Sequence, residues 1–367
     1  MIRQRSFRPS CDICREYMRE QTTMRICIVG DFSDHLDEGY KNTSHYLARS
    51  LEAQPDTEVV RLNAKKVRTR QFWGELARAK PHVVHTIAQP TNISLFSTAM
   101  MRVLHPGART VVSALRADRY FSGHTPDIRH RVMMQMARPD LVLVQTHQYA
   151  SLFERLGCRV EYLPNGVDLE RFKPVSRERH IELRRKYGLD EHAPVVLHVG
   201  HLEPDRNLTA FEDLPAQGVQ VVVAGSLYMG THHDLIARLE GAGLRLFKGY
   251  QPNVEELYQL ADCYVFPLPP GNSLTMPLSV LEAMACNLPV LATRFSGLMQ
   301  AFSGFRAYGF DFIKPYEPLL PRVQAMLAAR EAGRVHTRGL VRDFSWEAVA
   351  ARLRGYYDIL VRRKVVA

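Results

Sequence analysis

Ten short apolar runs recur along this chain, at residues 25–31, 58–62, 82–86, 110–113, 141–144, 194–200, 219–226, 244–247, 263–266 and 289–292, with helical segments between them. Runs that are apolar almost throughout, rather than at alternate positions, suit strands covered on both faces. Strands that alternate with helices build a parallel sheet wrapped by those helices. A helical pattern through Tyr46, Leu47 and Leu51 follows the first run after a turn that carries Gly39. The runs fall into two series, separated by the turn Pro164-Asn165-Gly166 and a charged stretch. The predicted fold class is therefore α/β, with two Rossmann-like halves joined near residue 172. Such halves face each other across a cleft lined by the carboxyl ends of parallel strands, where ligands usually bind. Residues 1–23 read as an N-terminal extension, 24–172 as the first domain and 173–345 as the second, with 346–367 as a closing segment.

Composition narrows the classes of function. A chain of 367 residues with 46% apolar and 23% charged residues is long enough for about two soluble domains. No apolar run approaches the roughly 18–20 residues that span a bilayer, and the Arg-rich N-terminus lacks the apolar core of a signal peptide. A cytoplasmic location is the expectation. Of six cysteines, Cys11 and Cys14 form the one C-x-x-C pair, without a second pair to complete a zinc site, so reduced core thiols are expected. The formal charge of +10 implies an anionic partner. Basic residues crowd Arg61, Lys65, Lys66, Arg68 and Arg70, and again Arg177, Arg179, Arg184, Arg185 and Lys186. A phosphorylated substrate, an anionic membrane surface or an ordinary solvated face each accounts for them. No zinc-finger or RRM-like motif supports nucleic acid.

The run from Pro277 to Val290 carries most of the chemistry. It sets Glu282 inside a predicted helix whose start faces the end of the strand at 263–266. Free N–H groups and the positive end of the dipole make a helix N-terminus suited to phosphate, and a carboxylate further in suits a sugar's vicinal hydroxyls. An amphipathic helix with Glu282 turned to solvent is the alternative. No G-x-G-x-x-G follows the first strand and no G-x-x-x-x-G-K-[ST] loop occurs, which removes the usual dinucleotide and P-loop sites. D-x-D, H-E-x-x-H and G-x-S-x-G are also absent.

Four segments, in order, resemble a glycosyltransferase of the GT-B fold, in the retaining family 4 group (glycosyltransferase group 1). They are Leu163 to Phe172, Val199 to Asn207, Leu278 to Val290, and Phe344-Ser345-Trp346-Glu347, and the likeness covers roughly residues 24–360. It implies an acceptor domain, a nucleotide-sugar donor domain, and a C-terminal helix that returns to the first domain. It implies that Gly200 approaches the donor pyrophosphate and that a basic pair neutralises the leaving group. Where the family has Arg and Lys, this chain has His201 and Arg206. Arg206 keeps a permanent charge and a bidentate fork, whereas His201 is charged only when protonated. Glu282 matches the second acid of the family's E-x7-E motif, the ribose clamp. Leu274 stands where the first acid belongs, beside Thr275.

Gly225 and Ser226 follow a buried strand and are candidates for the nucleotide pocket, and Tyr250 and Gln251 follow the next strand, where similar enzymes hold the base. For either pair a plain strand-ending turn is the alternative. Backbone N–H groups near Thr275, Pro277 and Leu278 at the helix start suit the diphosphate. In the first half, Gly39, Lys41, Arg116 and Arg119 are acceptor-side candidates. The expected activity is transfer of a sugar from a UDP- or GDP-linked donor to a glycan, lipid or small-molecule acceptor. Retention is expected, with neither cofactor nor metal. The departures at Leu274 and His201 motivate the alternative: a catalytically degenerate protein of this fold that binds a sugar nucleotide or protein partner without turnover. A nucleotide-sugar epimerase is a further alternative. A lipid-linked acceptor would suit peripheral contact with an anionic inner membrane surface, and Phe72 and Trp73 beside Arg68 and Arg70 suggest an interfacial helix.

Overall fold

The computed structural model describes residues 23–33, 38–115, 128–225, 232–269 and 274–362. The first half is a six-stranded sheet of β1 (Met24–Gly30), β2 (Thr57–Asn63), β3 (Val83–Ala88), β4 (Arg109–Ala114), β5 (Leu141–Val144) and β6 (Val160–Tyr162). Its strand order is β2-β1-β3-β4-β5-β6, and every pairing is parallel. The second half comprises β7 (Val195–Val199), β8 (Gln220–Gly225), β9 (Arg245–Lys248), β10 (Cys263–Phe266), β11 (Val290–Thr293) and β12 (Phe310–Ile313). That sheet runs β12-β11-β10-β7-β8-β9, again all parallel. All ten apolar runs are strands. The two additional strands, β6 and β12, are sheet edges, each interrupted by an acid.

Strand order reverses between β1 and β3 in one sheet and between β7 and β10 in the other. Such switch points open a crevice beyond the carboxyl ends of the strands, and both crevices open into the same cleft.

The helix Trp346–Arg362 returns to the first sheet. Trp346, Val349, Leu353 and Tyr357 share a buried cluster with Ile26, Ile28, Val83 and Leu141. The Trp346 ring stacks on Tyr46 at 5.8 Å between centroids, with 5° between planes. It also lies so close over Gly166 that a Cβ there would meet the indole. The Asn-Gly turn of the sequence is thus a seat for the returning helix. Deeper in, buried His85 bridges the Tyr357 hydroxyl at 2.6 Å and the Ser113 hydroxyl at 2.8 Å. Burial holds this imidazole neutral, with its pKa pushed down to about 3.

The interfacial helix expected around Phe72 is not formed. In the helix Arg70–Ala79, Phe72 is buried and Trp73 donates its indole N–H to the Val67 carbonyl at 2.9 Å. Both rings serve the fold because the helix turns them toward β1 and β2. Four basic residues of the run at 177–186 pair within the chain: Arg179 and Lys186 with Glu256, buried Arg184 with Asp262, and Arg185 with Glu191. Among the described residues no helix is long and apolar enough to cross a membrane. Cys27, Cys158, Cys263 and Cys286 are buried free thiols, and burial pushes Cys27 up to about 12. Cys11 and Cys14, with the rest of 1–22, lie outside the described residues.

Candidate functional site

A cleft of about 780 Å³ separates the halves. From the first half it is lined by Gly39, Tyr46, Gln89, Leu115, Gln145 and Asn165. From the second it is lined by Gly200, His201, Arg206, Gly225, Tyr250, Gln251, Glu282 and the segment from Leu274 to Ser279. Gln89, Leu115, Gln145 and Gly200 each follow a strand by one residue, so the lining is built from carboxyl ends of the sheets, as parallel topology dictates.

Glu282 lies in the second turn of the helix Leu278–Ala285, partly buried at the cleft wall. Its Oε2 accepts a 2.7 Å hydrogen bond from the hydroxyl of fully buried Tyr258. Burial raises the carboxyl pKa to about 7, against the lowering influence of the Tyr258 hydroxyl and then the Arg171 charge. Near neutral pH the carboxylate is poised between two forms, with lone pairs left to accept from a ligand. The solvent-facing alternative for this residue is not what forms.

The same helix opens on Pro277, in extended conformation with no side-chain cap. Its first four N–H groups have no intrahelical acceptor, and its positive dipole end points to the cleft at Pro277 and Leu278. Opposite lies the loop after β7. Gly200 N–H donates to the Ala224 carbonyl at 3.0 Å. A Cβ at Gly225 would collide with the Gly200 carbonyl oxygen and come within 2.7 Å of Leu202 Cγ. The two glycines therefore let bare backbone meet bare backbone at the cleft floor. Below them, fully buried His198 holds its Nδ1 2.9 Å from the Val265 carbonyl oxygen. Desolvation depresses its pKa to about 4, and it is neutral.

Further along, the short turn Pro204–Arg206 ends on Asn207 at φ 54°, a left-handed conformation that Asn tolerates, with Asn207 Nδ2 donating to the Pro267 carbonyl at 2.9 Å. This anchor sets Arg206, 8% exposed, into the cleft wall with Nε 3.4 Å from the Asp205 carboxylate. Burial, with the Asp205 charge next, raises the pKa of neighbouring Glu203.

Two groups of side chains join the halves. Thr275 donates its hydroxyl to Gln145 Oε1 at 2.6 Å, Gln145 Nε2 donates to Asn165 Oδ1 at 2.7 Å, and Asn165 Nδ2 donates to the Met276 carbonyl at 2.7 Å. This relay fixes the segment just before the Glu282 helix. On the other side, Arg171 donates to Glu255 Oε2 at 2.8 Å, to the Pro252 carbonyl at 2.8 Å and to the Tyr46 hydroxyl at 3.1 Å. Arg338 holds the carbonyls of Leu169, Phe172 and Ala285, tying the linker to the end of the same helix.

Of the residues expected at the site, Gly39, Gly200, His201, Arg206, Gly225, Tyr250, Gln251, Leu274, Thr275, Pro277, Leu278 and Glu282 line the one cleft. Lys41 does not. It is buried in the helix Gly39–Glu52, at 5% exposure. Ser226, Arg116 and Arg119 lie outside the described residues. Thr275 has its hydroxyl committed to Gln145, so its side chain is structural. Arg171, Tyr258, Gln145 and Asn165 were not singled out by sequence. Arg171 and Asn165 fall inside the resemblance segment 163–172, which marked the stretch but not their roles. Tyr258 and Gln145 carry no sequence signal, since their importance comes from partners 24 and 130 residues away. Among the described residues no group of three or more His, Cys, Asp or Glu is placed to hold a metal.

Comparison with known proteins agrees with this geometry. Residues 180–308 match the family model of glycosyl transferases group 1. A D-inositol 3-phosphate glycosyltransferase of Geodermatophilus obscurus is 30% identical over 302 residues, covering 74% of this chain and 64% of that protein, just under two thirds of its length. The sucrose-phosphate synthase of Thermosynechococcus elongatus superposes with a TM-score of 0.73 at 19% identity, over 93% of this chain and 100% of that one. Anabaena HepE in complex with UDP superposes with a TM-score of 0.68 at 16% identity, over 91% and 100%. At these identities the structural likeness establishes the two-domain GT-B fold.

Proposed function

We infer from these matches that this chain belongs to the group 1 glycosyl transferases, and we propose that its cleft binds a nucleotide diphosphate sugar and transfers the sugar to an acceptor on the N-terminal half. The observation that carries the reading is the pairing, within one cleft, of a carboxylate acceptor with groups suited to an anion. Glu282 stands one turn into a helix whose N-terminus faces the space that Arg206, His201 and Gly200 border. A nucleotide diphosphate sugar has that pattern: ribose hydroxyls that donate, next to a doubly charged diphosphate.

In this reading Glu282 accepts from the ribose hydroxyls, and Tyr258 aligns it. Tyr250 and Gln251 flank the base. The helix N-terminus, Gly200 and Arg206 hold the diphosphate. As the bond between the anomeric carbon and the phosphate oxygen breaks, its electron pair leaves with the diphosphate. Arg206 and the helix-end N–H groups meet that growing charge, in a cleft where preorganised donors act strongly. An acceptor hydroxyl forms the new bond to the anomeric carbon and passes its proton to the departing diphosphate oxygen. Leu274 offers no carboxylate to the sugar, so main-chain groups near Thr275 position it instead. The Gln145–Asn165 relay holds that main chain still, which supports orientation as part of the rate enhancement. Retention of configuration, independence from metal and a cytoplasmic setting belong to the same proposal.

Incubation with a panel of UDP- and GDP-sugars, reading release of the nucleoside diphosphate and the anomer of any product, tests it. Release that depends on donor and on Arg206 supports transfer. Tight nucleotide binding with no release across a broad acceptor panel would favour the degenerate alternative, and absence of any nucleotide binding would remove the transfer reading.

A further inference from the structure

Large apolar side chains that stand out into solvent are not spread evenly over this protein. Of twelve among the described residues, seven lie on two neighbouring helices of the N-terminal half. On the helix Asn92–Leu104 they are Ile93, Phe96, Val103 and Leu104, 52% to 72% exposed. Positions separated by 3, 10 and 11 residues share one helical face. On the helix Ile128–Ala137 they are Ile128, Val132 and Met136, spaced by four. The opposite faces of both helices enter a single buried cluster through Leu95, Ala99, Met134 and Ala137. Arg102 crosses between the helices to the Arg138 carbonyl at 2.6 Å. The two exposed stripes are therefore fixed side by side.

Charge supplies the second observation. Neither helix contains an acidic residue, and the exposed residues Arg102, Arg131 and Arg138 border the apolar stripes. An apolar face whose described rim carries Arg102, Arg131 and Arg138 matches an anionic lipid surface, where aliphatic and aromatic groups enter the headgroup boundary and arginines meet the phosphates. It matches a second copy of this chain poorly, because a two-fold contact would press one arginine rim against another. The face also adjoins the cleft: Gln89, three residues before Asn92, lines it, as does Leu115.

We propose that these two helices dock the protein on an anionic bilayer, bringing the acceptor side of the cleft to the lipid surface. The direction of transfer rests on the proposed function above, but the docking itself does not. The surface differs from the stretch around Phe72, whose rings are internal.

Sedimentation with vesicles tests it, using neutral phosphatidylcholine alone or with about one third phosphatidylglycerol. The wild type should bind the anionic vesicles at least tenfold better than the neutral ones. Arg102→Glu with Arg131→Glu should lower that binding at least tenfold. Phe96→Ser with Val103→Ser and Met136→Ser should do the same, including at high salt, where apolar insertion outlasts screened charge. Should the triple variant fail to fold by circular dichroism, Val103→Ser alone, at 72% exposure, serves. UDP and GDP binding measured by calorimetry without vesicles should be unchanged in every variant, so loss of nucleotide binding in the wild type would strike the cleft reading and leave docking standing. Wild type that ignores anionic vesicles, variants that bind them as wild type does, or a solution dimer abolished by Phe96→Ser would each overturn the docking proposal.

Discussion

Replacing Glu282 with Gln should make the unliganded protein more stable and its nucleotide binding worse. Burial lifts the Glu282 carboxyl from its ordinary 4.5 to about 7, which at about 1.4 kcal/mol per pH unit costs the ionised form up to about 3 kcal/mol. A carboxyl whose pKa is raised by folding favours the folded state fully below pH 4.5, and that contribution is lost as pH rises through 7. The amide of Gln keeps an oxygen for the Tyr258 hydroxyl but does not titrate. The variant's advantage should accordingly be near zero at pH 4.5, grow between 4.5 and 7, and level off near pH 8 at up to about 3 kcal/mol. Chemical denaturation at pH 5, 6, 7 and 8 reads this directly. Loss of charge-assisted hydrogen bonds to ribose, about 1.5–3 kcal/mol, should weaken nucleoside diphosphate binding roughly 10- to 150-fold at pH 8. Wild-type affinity should itself fall as pH drops below about 7, and the variant's should not. A stability difference that ignores pH would refute the burial argument. A more stable variant with undiminished affinity would refute the ribose role.

Other consequences are shorter to state. Gly225→Ala should cost about 1–3 kcal/mol and weaken nucleotide binding, because the new methyl meets the Gly200 carbonyl and Leu202; thermal melting with and without UDP or GDP checks both. Asn165→Ala removes the donor to the Met276 carbonyl and the acceptor for Gln145, and should cost about 1–3 kcal/mol and lower kcat more than nucleotide affinity. Trp346→Ala should cost about 3–5 kcal/mol and release the C-terminal helix from the first sheet, seen as faster amide exchange over 346–362.

Much of the architecture was legible because it depends on local periodicity. All ten apolar runs announced strands, most of them buried, with β2 and β9 at sheet edges only partly covered. The edges β6 and β12 were harder, since each is short and interrupted by an acid, Glu161 in one and Asp311 in the other. The cleft was legible wherever a residue's own position determined its role, as with Gly200, Gly225 and Glu282. Lys41 shows the limit: its neighbour Gly39 faces the cleft, yet two residues on along a helix is a turn of about 200°, which carries Lys41 to the buried side. Phe72 and Trp73 failed for the same kind of reason, because an aromatic pair beside arginines reads alike whether it faces lipid or a sheet. Arg171 and Gln145 depend on partners in the other half and Tyr258 on Glu282 within its own, and such pairings exist only once the chain has folded.

Arg206 is the group on which the proposed reaction most depends, so the rate of nucleoside diphosphate release by Arg206→Ala at saturating donor is the decisive measurement. The account predicts a kcat lowered about 100- to 1000-fold, with binding of the bare nucleoside diphosphate weakened as well, because Arg206 holds the diphosphate that departs. Release at the wild-type rate would contradict the assignment of this cleft as the place where the sugar–phosphate bond is broken.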